Sequence, residues 1–445
     1  MSQAHVPTAR AVIAGALLLA LVPGARGQEL PLALTLEEAL ARARAHSLRL
    51  VELQARQEGS AAQVEAREAD RRPVASILGG YTRTSHVPEF SVFQPGQGAS
   101  VIYPDVPDNF RSRIDLQWPI YTGGRLDALE RAARAERDAS GEELETARAD
   151  LRLEVTRAFW ALVTARETER VLERSLEAID AHVRDLRARL DQGLIPPNDV
   201  LSAEARQSRE RLLAIEAANA RRVAEADLRR LLGLEGFAPI EPRAVLTPAA
   251  PPAADVPRLL VEAREGRAER RALQARIAAA QAREEGAGAG TLPQVAFNAG
   301  YDYARPNSRI FPREDTWQDF WDVSINVSWA VWDGGRARAS RAEADAARRA
   351  AEARAAEFDR TLTFEVQQRL FELESSLAAI PVADDGVRAA AEARRVVGER
   401  FNAGVATSTD VLDAQTDLLS ADLARTRALA NLRIAEARLD RAIGR

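Results

Sequence analysis

Between Phe110 and Tyr121 the chain alternates with period two. Phe110, Ile114, Leu116, Trp118 and Ile120 form one set, with Arg111, Arg113, Asp115 and Gln117 between them. From Trp321 to Trp332 the pattern is as regular, with Trp321, Val323, Ile325, Val327, Trp329 and Val331 set against Asp322, Ser324, Asn326 and Ser328. Runs of this kind predict strands with one apolar and one polar face. "VAFNAGYDY" from Val295 alternates equally well and "VASILGGYT" from Val74 more weakly, which makes four strands of roughly ten residues.

Elsewhere the period is helical. Leu172, Leu176, Ile179, Val183, Leu186 and Leu190 step by fours and threes, as do Val366, Leu370, Leu373, Leu377 and Ile380. That spacing is a heptad seam and predicts coiled-coil packing. A helix from Arg125 to Leu190 would run roughly 100 Å, too long for a globular core. Gly193 and Pro196-Pro197 break it, and a second helix returns from Asp199, placed as N-cap, to Leu232. In the second half the break falls at Gly404 and the restart near Thr409 or Asp410. The return helix is about half its partner's length. The charged stretch Thr35–Arg71 would supply the rest if stacked end to end on it, and Val256–Glu285 is its counterpart in the second half. Phe159, Trp160, Phe364 and Phe371 are expected in the coiled-coil core.

The halves are copies. "WPIYTGGR" at Trp118 returns as "WAVWDGGR" at Trp329, and Trp118–Gly233 aligns without a gap on Trp329–Gly444, an offset of 211 residues. Gly123 and Gly124 fall on Gly334 and Gly335, and these pairs read as strand-to-helix hinges. Upstream, Pro73, Gly80 and Tyr81 recur as Pro293, Gly300 and Tyr301 at an offset of 220, so the first copy carries nine extra residues between its strands. The expected organisation is a signal peptide (1–27), a first repeat of helix, β-hairpin and helical hairpin (28–233), a proline-rich equatorial linker (234–256) and a second such repeat (257–445).

Composition narrows the classes. Arg10, the short apolar run "AVIAGALLLALVP" and "GARGQ" have the layout of a secretory signal, and no later segment is apolar enough to span a bilayer as a helix. There is no cysteine, so no disulfide, thiolate metal site or lipid-accepting Cys is expected. Charges are mixed, net −5, and offer no block suited to nucleic acid. His5, His46, His86 and His182 are scattered, and no catalytic, cofactor-binding or metal-binding motif is present. The strands carry Trp and Tyr near their ends, as lipid-facing strands with aromatic girdles do, and their other face would line a wet lumen. A soluble sandwich remains the alternative. In a membrane no edge can be left unpaired, and four strands cannot close a barrel, whereas three chains would supply twelve.

The two tips, "RLDQGLIPPNDVLSAEA" from Arg189 and "RFNAGVATSTDVLDAQT" from Arg400, share the pattern R-x-x-x-G-x(5)-DVL. With the duplication, they make the whole mature chain resemble the TolC-like outer-membrane efflux channels. The resemblance implies a mainly α fold with a membrane β-barrel: a long periplasmic coiled-coil helical barrel joined to a trimeric twelve-stranded β-barrel, four strands per chain. It implies a homotrimer in the outer membrane of a Gram-negative bacterium, in contact with outer-membrane lipid, a periplasmic adaptor (membrane fusion) protein and, through it, an inner-membrane pump. The work implied is passive export in tripartite efflux or type I secretion. Asp410 and Asp413 match carboxylates that ring the periplasmic aperture. Arg189, Gly193, Val200, Leu201, Arg400, Gly404, Val411 and Leu412 match the tips that grip the adaptor. The family's best-known member latches its mouth with a Tyr and an Arg that bond the Asp at the position of Asp199. Here Phe401 and Ala406 stand instead, so a different or weaker latch is expected. A periplasmic coiled-coil adaptor or scaffold is the competing reading.

Overall fold

The computed structural model describes residues 31–96, 98–247 and 255–445; the leader at 1–27 and part of the linker, 248–254, lie outside the described residues. In chain order the elements are β1 (Leu32–Leu34), α1 (Leu36–His46), α2 (Leu48–Ala69), β2 (Val74–Arg83), β3 (Phe90–Gln94), β4 (Gly98–Tyr103), β5 (Asp108–Tyr121), α3 (Arg125–Asp191) and α4 (Pro197–Leu231). They continue with β6 (Ile240–Pro242), α5 (Val256–Gly266), α6 (Ala268–Gly288), β7 (Gln294–Arg305), β8 (Gln318–Ser328), α7 (Arg336–Asn402) and α8 (Ser408–Ile443).

The four expected strands form one antiparallel sheet in the order β2-β5-β7-β8. Each copy contributes one hairpin, and the two hairpins join through β5 and β7, with Arg113 opposite Asp302 and Leu116 opposite Ala299. β8 stops at Ser328, short of the expected Trp332. The loop lengthened by nine residues in the first copy holds a small hairpin, β3 with β4, where the sequence predicts only a longer loop.

The long helices α3 and α7 each have 67 residues, about 100 Å at 1.5 Å per residue. Around their sheet-side half the packing uses small residues. Ala128, Ala132 and Ala139 of α3 are buried, as are Ala279, Ala280 and Ala282 of α6, and a Cβ on Gly286 would come within 3.1 Å of the Ala128 Cβ. Toward the tips the seam turns to large aliphatics, with Ile179, Val183 and Leu186 almost wholly buried. In the second copy Leu362, Val366, Leu370 and Leu373 are buried, whereas Phe364 and Phe371 are exposed. These two do not belong to the core as expected: one heptad apart, they share a stripe on the opposite side of α7 from the leucine seam.

Helix stacking is realised with a break. The stretches read as single helices divide at Ser47 and at Arg267, both with extended backbone. The Ser47 hydroxyl accepts from the Leu50 amide (3.4 Å). The cause is tertiary: the C-terminus of α4 arrives at the start of α2, and that of α8 at the start of α6. A Cβ on Gly233 would sit 2.8 Å from the His46 Cβ, and one on Gly266 would sit 2.7 Å from the Ile443 carbonyl. His46 corresponds to Gly266 at the offset of 220, and Gly233 to Gly444 at 211. Head-to-tail stacking also sets a partly negative helix end against a partly positive one. Buried Arg267 donates to the Arg441 (3.4 Å) and Ala442 (3.2 Å) carbonyls and to Glu365 (3.0 Å), tying that joint to α7. α1 and α5 turn aside there, with Ala39 and Ala43 joining Phe159, Leu162, Leu228 and Ile240 in one cluster. The parallel pair β1 and β6 holds the described part of the linker to the same belt.

Candidate functional site

At each strand-to-helix junction the chain must reverse pitch within three residues. Gly123 (φ 64°) and Gly124 (φ 82°) do so before α3, and Gly334 (71°) and Gly335 (89°) before α7. Left-handed backbone of this kind favours glycine. Thr122 and Asp333, equivalent positions, bond the free amides beyond: Leu126 N to Thr122 Oγ1 (3.3 Å), Gly335 N and Ala337 N to the Asp333 carboxylate (2.9 and 2.7 Å). The repeated tryptophans lock the same corner. Trp118 Nε1 donates to the Arg71 carbonyl and Trp329 Nε1 to the Thr291 carbonyl, both at 3.1 Å. The acceptors are themselves 220 residues apart, so the whole corner is duplicated.

Pairing register sorts the sheet into two faces. Ala75, Ile77 and Tyr81 of β2, Phe110, Ile114, Leu116 and Trp118 of β5, Val295, Phe297, Tyr301 and Tyr303 of β7, and Trp321, Val323, Ile325 and Val327 of β8 share the apolar face. Toward the loop end it becomes aromatic: Tyr81 lies 5.0 Å from Phe110, and Trp317 stacks on Tyr303 at 4.9 Å. The opposite face carries Arg111, Arg113, Asp115, Gln117, Asn298, Asp302, Asp322, Ser324 and Asn326. Buried Asp302 accepts from Arg111 (2.9 Å) and Arg113 (3.2 Å), and Arg113 also reaches Asp115 (2.6 Å) and Asp322 (3.1 Å). These ion pairs link β5, β7 and β8 across the join between copies.

At the other end, roughly 100 Å away along α3, the two tips turn in the same way. Gly193 (φ 68°) and Gly404 (φ 78°) follow the helices, and the amides of Leu194 and Val405 close on the carbonyls of Arg189 and Arg400, each at 2.9 Å. The return helices start earlier than expected. α4 begins at Pro197, which suits a first helical position, so Asp199 lies inside the first turn and not at the N-cap. In α8 the N-cap is Thr407, and Asp410 is the third helical residue. Its carboxylate accepts from the Thr407 amide and hydroxyl (both 2.8 Å) while the Thr407 hydroxyl accepts from the Asp410 amide (3.2 Å). This is a capping box. Its bonds from Thr407 hold the Asp410 carboxyl below the usual carboxylate range. Asp413, one turn on, is exposed, with Arg206 at 3.8 Å.

The tip residues divide by burial. Val200 and Leu412 are 6% and 5% exposed and pack together with Ile179, Val183, Leu186 and Phe401, so their side chains bind the two hairpins to each other and are not free to meet a partner. Val411 is half-buried. Leu194, Leu201 and Val405 are exposed at the tip surface. Arg189, in the repeated signature, crosses between hairpins: its guanidinium lies 4.6 Å over the Phe401 ring and donates to Asn402 Oδ1 (3.3 Å). Phe401, which cannot hydrogen-bond, therefore still takes part in a contact between the hairpins, through its ring face. His182 completes it, with Nε2 3.1 Å from Ser408 Oγ and its ring 5.5 Å from Phe401. Burial holds the His182 pKa below its ordinary value, with Asp185 opposing and Arg189 adding to the shift. Sequence reading missed His182 because it stands beside the seam, between Ile179 and Val183, with no motif of its own.

A family model described as outer membrane efflux protein matches residues 39–234 and 259–445. The protein CyaE of Bordetella pertussis is 28% identical over 344 residues, 72% of this chain and 69% of that protein. Among solved structures, the outer membrane protein VceC from Vibrio cholerae is 21% identical, with a TM-score of 0.77, 92% of this chain and 96% of that chain covered. The open-state MtrE outer membrane channel of Neisseria gonorrhoeae is 18% identical, with a TM-score of 0.75, 92% and 88% covered. At these identities the structures show a shared fold.

Proposed function

This chain belongs to the outer membrane efflux protein family, and from that premise we propose that it is the export duct of a tripartite efflux or type I secretion system. The duct is a passive homotrimer in the outer membrane, and an inner-membrane pump reached through a periplasmic adaptor supplies the energy. One observation carries the reading. The sheet has a continuous apolar face, a charged opposite face and, among the described residues, two unpaired edges, β2 and β8. Lipid offers no hydrogen bonds to an open edge, so such a sheet is stable in a bilayer only when other copies close it. Three chains then give twelve strands around a polar lumen. Strands of 10 to 14 residues suit a tilted crossing.

In this reading the tips form the periplasmic aperture. Exposed Asp413, with Asp410 and Asp199 nearby in the first turns of their helices, supplies its negative charge. Leu194, Leu201 and Val405 are the apolar surface offered to the adaptor, with Gly193, Gly404, Arg189 and Arg400 shaping it. A narrow mouth ringed by carboxylates concentrates cations.

The test is conductance. The mature protein, extracted in detergent and shown by native mass measurement to be three chains, is added to a planar bilayer. Discrete, cation-preferring openings whose selectivity falls in an Asp410→Ala, Asp413→Ala double variant are expected. A folded protein that stays monomeric and never inserts would overturn the proposal.

A further inference from the structure

After β7 the chain from Pro306 to Arg313 turns back over the polar face of the sheet. Asn307 Nδ2 donates to the Gln318 carbonyl (3.0 Å), and the Arg309 guanidinium sits 4.4 Å over the ring of Phe320, which shares that face with Arg113 and Asp302. Arg313 donates to Tyr103 Oη (2.8 Å) and to Asn109 Oδ1 (2.7 Å), tying the loop to the end of β4 and the start of β5. Beneath the loop lies a cavity of about 610 Å³ whose charged lining is Arg111, Arg113, Arg309, Arg313, Asp302 and Asp322.

The charges do not balance. Four guanidinium groups stand against three carboxylates, Asp302, Asp322 and, beside Arg113, Asp115, and Arg111 and Arg113 already engage all three. Arg309 and Arg313 have no carboxylate partner among the described residues: one is met by an aromatic face and the other by a neutral hydroxyl and amide. The nearest acids along the chain are engaged elsewhere, Asp315 by Arg305 (2.9 Å) and Glu314 by Gln318 (3.4 Å). The Arg313 Nε is buried and has no hydrogen-bond partner among the described residues. Two guanidinium groups without a carboxylate thus leave the open cavity net positive.

We propose that this cavity is an oxyanion-binding station at the outer end of the duct, which takes the carboxylate or phosphate groups of solutes leaving through the barrel. The proposal rests on the channel reading for its place in transport. Planar guanidinium groups match two-oxygen acceptors, and arginines lining a pore favour anions. The cargo class that follows is anionic at the exit, although the periplasmic mouth is acidic. Three copies would repeat the station around the lumen.

Citrate, a tricarboxylate, is the probe. The detergent-purified full chain is titrated with citrate by calorimetry, and the same protein in a planar bilayer is titrated on the barrel side while conductance is read. Wild type is expected to bind citrate and lose conductance as it is added. Arg309→Gln with Arg313→Gln should raise both half-effect concentrations at least tenfold. Exposed Arg309→Gln alone, which leaves the Arg313 tether in place, should raise them several-fold, and Arg305→Gln, a charge loss paired to Asp315, should leave them unchanged. Conductance without any citrate effect, or equal titrations in wild type and the Arg309 and Arg313 variants, would overturn the station. Citrate binding lost in the variants without conductance in any protein would leave the station standing and remove the channel reading.

Discussion

One half-buried imidazole ties the packing of the tips to the pH. His182 is held neutral by burial between the hairpins, and its pKa is lowered below the ordinary histidine value of about 6.5. A depressed histidine pKa means that the packed state binds fewer protons than the released one. The Ser408 contact is therefore fully favourable above about pH 6.5 and is lost progressively as the pH falls through that value toward the lowered one. The groups facing the ring are Asp185 and Arg189 on its own helix, the Phe401 ring from α7 and the neutral Ser408 from α8. Channel open probability in a planar bilayer should rise between pH 7 and pH 5.5, and His182→Gln, which can still bond Ser408, should flatten that profile. A pH response unchanged by the substitution would remove His182 from the latch. None of this was legible locally, because Arg189, Phe401 and Ser408 come together only when both copies fold against each other. What the sequence did carry was Phe401 and, through the resemblance, the expectation of a different or weaker latch.

The elements were legible where a period specifies them. Period two placed all four strands, and the heptad seam placed α3 and α7, since each follows from which side chains must be buried. The breaks at Ser47 and Arg267 were not legible. Gly266 beside Arg267 is a lone glycine within a helical pattern, and the extended backbone at Arg267 accommodates the end of α8, which packs against Gly266. The glycines at these joints differ in kind from those at the tips. Gly193 and Gly233 both have positive φ (68° and 61°), but a Cβ at Gly193 meets nothing within 4 Å, whereas at Gly233 it would lie 2.8 Å from His46. Gly193→Ala should cost about 1–2 kcal/mol for the left-handed backbone alone. Gly233→Ala should cost more, because two helix ends must also separate. Thermal melting of the two variants in detergent decides this: equal losses would mean that the joint is not tightly packed. In the tip region, the earlier starts of α4 and α8 show the limit of reading caps from Asp alone, since Pro197 and Thr407 each compete for the first turn.

For the whole molecule, the two faces of the sheet decide where it can live. Val323 and Ser324 are neighbours in β8 that point to opposite faces. Val323→Arg puts a charge against lipid, at about 2–4 kcal/mol near the midplane, and should reduce the detergent-extractable trimer. Ser324→Arg should leave assembly intact. Equal damage from both would contradict the assignment of faces. The same scale gives the stacked joints a mechanical meaning. Four columns of helix pass the belt in each chain: α3 and α7 run through it unbroken, while α4 on α2 and α8 on α6 meet end to end. No i→i−4 hydrogen bond crosses a butted end, so these two columns carry compression through packed backbone but resist bending and tension far less than a continuous helix. Bending stiffness is thus concentrated in the two unbroken helices of each chain, and one of these, α7, carries Pro381 on its tip side, which removes one of its own backbone hydrogen bonds. In each chain the two continuous helices therefore carry most of the resistance to bending, and the butted ends are its most compliant points.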